Sequence, residues 1–272
     1  MTGPQSDAVY THGHQEPVLR SHRSRTAADS AAYLLPRLRP GQTLLDVGCG
    51  PGTITADLAE LVGPGGRVVA VDTSAEVLEQ AARYVAGRGL SNVVFEVADV
   101  HGLPYADGEF DVVHAHQVLQ HVTGPVAALR EMRRVVAEDG VVAARDVDYA
   151  TMTWYPEAPG LDRWLALYRR IARANGGEPD AGRRLLSWAR QAGFTEVTVS
   201  SSSWTYATPE QREWWGGLWA DRIVSSGIAA TAVAEGYADP AELERIAAGW
   251  RDWAAAGDGW FAMLHGEVLA RP

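Results

Sequence analysis

Between residues 44 and 147 the apolar positions alternate between short unbroken runs and longer stretches of helical spacing. The runs at 44–47, 67–72, 93–97, 110–114 and 141–147 read as strands, continuous enough to be buried on both faces. Between them, Ile54, Leu58 and Leu61 share one face of a helix expected over 53–62. Val77, Leu78, Ala81 and Val85 do the same over 74–88, and another helix is expected over 124–136. The turn Glu138-Asp139-Gly140 then leads into the fifth strand. Upstream, Val18, Leu19, His22, Ala27, Ala31, Leu34 and Leu35 predict a helix over 18–38, ended by Pro36 and Pro40. Strands alternating with helices predict a parallel sheet covered on both faces, with its ligand at the strands' C-terminal ends.

After residue 150 the pattern changes. Leu161, Trp164, Leu165, Tyr168 and Ile171 mark an inserted helix, and 183–192 is a further one stopped by Gly193. A sixth strand is expected over 194–203. Trp215, Trp219 and Ile223, then Leu243, Ile246, Trp250 and Trp253, place helices within 209–257. A closing strand at 260–270 makes those helices an insertion within the sheet. The expected fold is α/β: a doubly wound, seven-stranded, mostly parallel sheet of Rossmann-like type with an added helical lid. Its expected divisions are an N-terminal helical cap (1–40), a ligand-binding core (41–204), a Trp-rich lid (205–258) and the closing strand (259–272).

The link from the first strand to its helix carries the chemistry. It reads Leu-Leu-Asp-Val-Gly-Cys-Gly-Pro-Gly-Thr over 44–53. Gly48, Gly50 and Gly52 let the backbone turn tightly and approach a ligand that side chains would block. A dinucleotide site has G-x-G-x-x-G and an uncharged helix N-terminus for its pyrophosphate. Here the spacing is G-x-G-x-G, and Asp46 stands two residues before the first glycine. That anion repels phosphate but suits a ligand bearing an ammonium and a sulfonium, S-adenosylmethionine. Asp72 ends the second strand, placed to accept from a ribose diol. Arg25 is a candidate partner for the ligand's carboxylate.

Composition narrows the chemistry. The 272 residues hold 34 acids against 24 bases, a net charge of −10, and every base is arginine. Without lysine, Schiff-base chemistry and pyridoxal phosphate anchoring are excluded. An acidic chain with no basic cluster is a poor partner for nucleic acid. Cys49 is the sole cysteine, lies inside the glycine turn, and reads as packing rather than as a nucleophile. The polar segment 1–17 does not resemble a signal peptide, and no apolar run reaches membrane-spanning length. The expectation is a cytoplasmic protein with a small-molecule partner and neither nucleic acid nor membrane; oligomeric state is left open.

The motifs together resemble the class I S-adenosylmethionine-dependent methyltransferases, nearest the ubiquinone/menaquinone-biosynthesis-like group of small-molecule enzymes. The resemblance rests on 44–52, 68–72, Ala98-Asp99, Leu103-Pro-Tyr-Ala-Asp-Gly-Glu-Phe-Asp-Val-Val113, Ala128-Leu-Arg-Glu-Met132 and 186–199, in order over roughly residues 40–200. It implies S-adenosylmethionine as cofactor and S-adenosylhomocysteine as product. Cofactor contacts are then expected from Arg25, Asp46, the loop Gly48, Cys49, Gly50 and Gly52, from Asp72 with Thr73, and from His116 and Gln117 for the methionine portion. Asp99 would accept from the adenine amino group, beside the backbone of Val100.

For catalysis the resemblance points to His121 as general base with Tyr10. His12-Gly-His14 lacks further ligands at metal spacing, so no metal is expected. The chain departs from the family in its histidine-rich strand exit, His114-Ala-His-Gln-Val-Leu-Gln-His121, and in Glu138-Asp139-Gly140, where relatives often have Pro-Gly-Gly. The indole-rich lid points to an apolar or aromatic acceptor. Two rivals stand beside methyl transfer: a protein that binds S-adenosylmethionine without transfer, as a cyclase or silent partner, and, less compatible with Asp46, a nicotinamide oxidoreductase.

Overall fold

The computed structural model describes residues 24–272. Five parallel strands stand in the order β3 (Val93–Val97), β2 (Arg67–Asp72), β1 (Thr43–Val47), β4 (Phe110–His116), β5 (Val136–Val147). β8 (Trp260–Arg271) runs antiparallel against β5. β7 (Glu196–Tyr206) and the short β6 (Thr153–Tyr155) both pair antiparallel with β8. The chain goes from β1 to β2 on one side and reaches β4 on the other, so the crevice for a ligand opens where β1 and β4 end.

The elements follow the expected pattern with three differences. The sheet has eight strands because Thr153–Tyr155 adds a short strand beyond β5. The helix expected over 18–38 is, within the described residues, only α1 (Ala27–Ser30) and one 3-10 turn at Leu35–Arg37. The cause is local: Thr26 accepts from the Asp29 amide while Asp29 accepts from the Thr26 amide, a reciprocal cap that starts the helix there. Pro36 then cannot donate to a preceding turn. β5 begins at Val136, because Glu138-Asp139-Gly140 is absorbed into the strand beside an irregular pairing between Phe110 and Val112.

α2 (Thr53–Val62) with α1, and α4 (Pro125–Val135) with α6 (Leu185–Ala192), cover the sheet with apolar side chains. α3 (Ala75–Gly87) buries Val77, Leu78, Ala81 and Val85. A separate aromatic core joins α5 (Pro159–Ala174) to α7 (Pro209–Ser225), α8 (Gly227–Ala234) and α9 (Pro240–Ala255). Trp164, Trp219, Trp250 and Trp253 are its largest members and lose nearly all contact with solvent. Trp164 meets Trp219 and Trp250 edge to face, with centroids 4.5 and 4.8 Å apart, the arrangement that ring quadrupoles favour. α5 thus belongs to the same layer as the helices inserted between β7 and β8. Trp164→Ala should lower stability by about 3–5 kcal/mol. A denaturant titration in which the loss stays below about 1 kcal/mol would mean that the layer is not packed on this ring.

Candidate functional site

The loop after β1 turns through three left-handed glycines, Gly48, Gly50 and Gly52, at φ +65°, +54° and +78°. A side chain at Gly48 would place its Cβ 2.5 Å from Val118 Cγ2, so the loops after β1 and β4 touch through this residue. The Gly50 amide donates to Asp72 Oδ2 (3.1 Å) and the Ser74 amide to Oδ1 (3.0 Å). Two backbone donors therefore fix Asp72 at the end of β2, and each oxygen keeps a lone pair for a ligand. Thr73 lines the cleft beside it.

Asp46 is buried. Thr55 Oγ1 donates to its Oδ2 (2.6 Å), and His114 Nδ1 donates to its Oδ1 (2.8 Å). Asp46 and His114 are register partners on β1 and β4, which brings them together. Both carboxylate oxygens are thus engaged by protein, which makes Asp46 a tie between β1, α2 and β4 as well as part of the cleft wall.

At the end of β3, Asp99 Oδ1 accepts from the backbone amide (2.9 Å) and Nδ1 (2.8 Å) of His101. His101 Nε2 lies 2.6 Å from the Thr123 carbonyl. His101 therefore links Asp99 to the loop after β4, a role that no motif spacing signals. Val100 is buried and lines the cleft.

His116 closes β4, and burial, followed by the charges of Arg25 and Arg145, holds its imidazole well below the usual range. Gln117 takes a left-handed conformation (φ +55°), which is costly outside glycine. Its amide donates to the Arg145 carbonyl (2.7 Å). Its side chain accepts from Arg25 Nη2 (2.8 Å) and donates to His265 Nε2 (3.0 Å). Arg25 precedes α1 instead of lying on a long helix, and its guanidinium stands 5.5 Å over the Trp204 ring. Trp204, one of the indoles expected near the acceptor, joins this group from β7, and His265 joins it from β8, where sequence spacing gave no sign of a site.

His121 lies in a turn before α4 instead of on a helix. Its Nε2 accepts from Gln120 Nε2 (3.0 Å). Burial, helped by Arg25, pushes its pKa down to about 3, which weakens it as a base at neutral pH. The same turn is held from below by Asp146, whose carboxylate accepts from the amides of Gln120 (3.0 Å) and Leu119. Burial nonetheless pushes Asp146 up to about 7. Tyr10, His12 and His14 lie outside the described residues.

All these strand ends open into one cavity of about 900 Å³. Its floor includes Asp46, the glycine loop, Asp72 and Asp99; its other walls include Tyr149, Trp204, Tyr206, Trp214, Trp215 and Trp219. Tyr149 and Tyr206 remain neutral phenols, since burial pushes Tyr149 up to about 12 and Tyr206 higher still. Cys49 also lines the cleft, and burial pushes its thiol well up, followed by the charges of Asp46 and Asp72, so it is no nucleophile. Trp215 and Trp219 belong to the aromatic core as well as to this wall, whereas Trp164, Trp250 and Trp253 are core alone. No helix among the described residues is long and apolar enough to cross a membrane.

Comparison with known proteins agrees with this layout. Residues 38–201 match the family model described as a methyltransferase domain. An uncharacterised methyltransferase of Schizosaccharomyces pombe is 31% identical over 277 residues, 99% of this chain and 98% of that protein. A demethylmenaquinone methyltransferase of Lactococcus lactis is 31% identical over 170 residues, 58% of this chain and 67% of the relative. The phosphoethanolamine N-methyltransferase 2 of Haemonchus contortus, solved in complex with S-adenosyl-L-methionine, shares the fold. It aligns with a TM-score of 0.57 and 18% identity over 89% of this chain and 52% of that one.

The pinned turn carries a pH signature. Because the folded-state pKa of Asp146 is raised above its unfolded value, the native state holds a proton that the unfolded chain has already released. Its ionisation therefore costs stability as pH rises from the ordinary carboxylate range through about 7, and no further beyond. Asp146→Asn keeps an acceptor for the two amides and should flatten the fall in melting temperature between pH 5 and 8. Parallel wild-type and variant curves would show that Asp146 titrates normally.

Proposed function

The chain belongs to the methyltransferase-domain family, whose methyl donor is S-adenosylmethionine, and we propose that it methylates a small apolar or aromatic metabolite held beneath its tryptophan-rich helices. One observation carries this reading. A single cavity joins three carboxylates at adjacent strand ends to a wall of four indoles.

The residues fit the cofactor. Gly50 has open space where a Cβ would stand, together with a left-handed backbone, so a ligand can approach the chain closely there. Asp72 keeps lone pairs for ribose hydroxyls, and Asp99 keeps its Oδ2 for the adenine amino group beside Val100. His116 presents a neutral ring toward the methionine portion, and Arg25, steered by Gln117, supplies a cation for its carboxylate. The carboxylate-lined floor, with no lysine anywhere in the chain, opposes a phosphorylated ligand.

When bound, S-adenosylmethionine supplies an electrophilic methyl on a sulfonium that is already a good leaving group. What remains for the chain is alignment and exclusion of water, for which positioning can contribute roughly 7–11 kcal/mol. Trp204, Trp214, Trp215 and Trp219 provide flat apolar surface that holds an acceptor ring and excludes water. His121 serves as a neutral hydrogen-bond partner to the acceptor, since a ring held near 3 takes up a proton poorly.

Incubation with a metabolite library and S-adenosylmethionine tests the activity. The expected result is an acceptor heavier by one methylene with an equal amount of S-adenosylhomocysteine; turnover without that product would contradict transfer. Asp72→Ala should weaken S-adenosylhomocysteine binding at least about tenfold, the scale of one hydrogen bond to a charged group. Unchanged affinity by calorimetry removes the ribose assignment. His121→Ala should lower turnover by up to about tenfold with cofactor affinity intact; a loss of roughly 10²–10⁴ would mark a general base instead.

A further inference from the structure

The cavity carries its charges unevenly. Asp46, Asp72 and Asp99 stand along its floor at the strand ends. The opposite wall takes Gln211, Trp214, Trp215, Trp219 and Arg222 from α7, and Arg222 is the charged residue among them. Trp215, Trp219 and Arg222 recur at helical spacing, so one face of α7 presents two indoles and then a guanidinium. The cofactor reading leaves this arginine without a role, because it assigns Arg25 to the carboxylate of the methionine portion.

The guanidinium of Arg222 is fixed in place. It stands 4.8 Å over the Trp219 ring, and 4% of the residue reaches solvent. Tyr149 lines the cavity too. Burial raises its phenol, while a hydrogen bond from Tyr168 and then the charge of Arg222 act the other way, so the field of the guanidinium reaches that ring. Arg222 offers only hydrogen-bond donors, and a neutral phenol has one to give. The result is a positively charged corner floored by an indole.

What this corner selects follows from charge. An ammonium is repelled by Arg222 and drawn to the acids of the floor. A carboxylate is repelled by the floor and drawn to Arg222, whose fork can hold both its oxygens. Partly buried charges of this kind are screened far less than surface ones. A flat acid therefore has one favoured orientation, with its anionic end at α7 and its far end toward the strand ends.

Resting on the methyl-transfer reading above, we propose that Arg222 anchors the acceptor and that the acceptor is an aromatic acid, its carboxylate held by the guanidinium and its ring against the α7 indoles. The atom that receives the methyl then lies at the end of the acceptor away from its carboxylate.

Two matched probes separate this anchor from a packing role. 2-Naphthoate and 2-naphthamide share their rings and nearly their shape, and differ in charge. Each is titrated calorimetrically into the full chain saturated with S-adenosylhomocysteine, whose own carboxylate occupies Arg25. The wild type should bind the acid about ten- to a hundredfold more tightly than the amide, the range for a hydrogen bond to a charged group. Arg222→Gln, which keeps donors but no charge, should lose that preference and bind 2-naphthamide as the wild type does. Arg222→Lys should keep most of the preference. A wild type that binds the two probes alike, or binds neither, overturns the assignment whether or not a variant folds. So does a Gln variant that retains the preference, since another cation then supplies it. Gln and Lys variants that both lose the two probes equally also overturn it, since Arg222 is then packing. The preceding S-adenosylhomocysteine titration tests the cofactor reading separately. No binding there, with the preference for the acid intact, removes the cofactor and leaves the anchor standing.

Discussion

A buried carboxylate at the end of β1 is the constraint on which the site depends. Asp46 cannot sit in the sheet's interior unless its oxygens are satisfied, and Thr55 from α2 and His114 from β4 satisfy them. Those two bonds fix where α2 starts and how β4 lies against β1. They thereby set the height of the glycine loop between them. The loop's amide at Gly50 then reaches Asp72, and the Cys49 amide reaches the Val71 carbonyl (3.0 Å). The first three polar fixtures of the cleft are one connected set.

A second set organises the opposite side. Gln117, in its left-handed conformation, ties Arg25 to His265, and the guanidiniums of Arg25 and Arg145 both stand over the ring of Trp204, whose indole nitrogen donates to the Asp29 carbonyl (3.0 Å). Asp146 and His101 hold the loop after β4 from two directions. The cleft is therefore bounded by strand ends whose side chains bond mostly to one another. The acceptor wall has a different origin, since Trp214, Trp215 and Trp219 belong to α7, inserted between β7 and β8, and Trp204 to β7 itself. Their outer neighbours Trp164, Trp250 and Trp253 form the core that supports it. One residue type thus serves both support and lining, and only packing separates the roles.

Much of this was legible along the chain because it is written in local signals. The β1 run, the G-x-G-x-G turn and the carboxylate ending β2 each follow from spacing within some thirty residues, and all three stand where those patterns put them. What escaped depends on contacts between distant segments. His114 meets Asp46 only because β4 pairs with β1, and His265 reaches Gln117 only because β8 inserts antiparallel beside β5. Within residues 24–38 the expected helix is broken for the opposite reason, since its apolar spacing is real but a local capping box and Pro36 override it. The basicity of His121 was also out of reach, because burial decides it and no motif records burial.

The central claim is that the cleft takes a cationic thioether nucleoside and rejects a phosphorylated one. Tryptophan fluorescence tests it directly, since Trp204, Trp214, Trp215 and Trp219 line the cavity. The protein is titrated in parallel with S-adenosylmethionine and with a nicotinamide dinucleotide. The account predicts saturable quenching at one equivalent of S-adenosylmethionine and none with the dinucleotide. Saturation by the dinucleotide, with no response to the sulfonium compound, would contradict it.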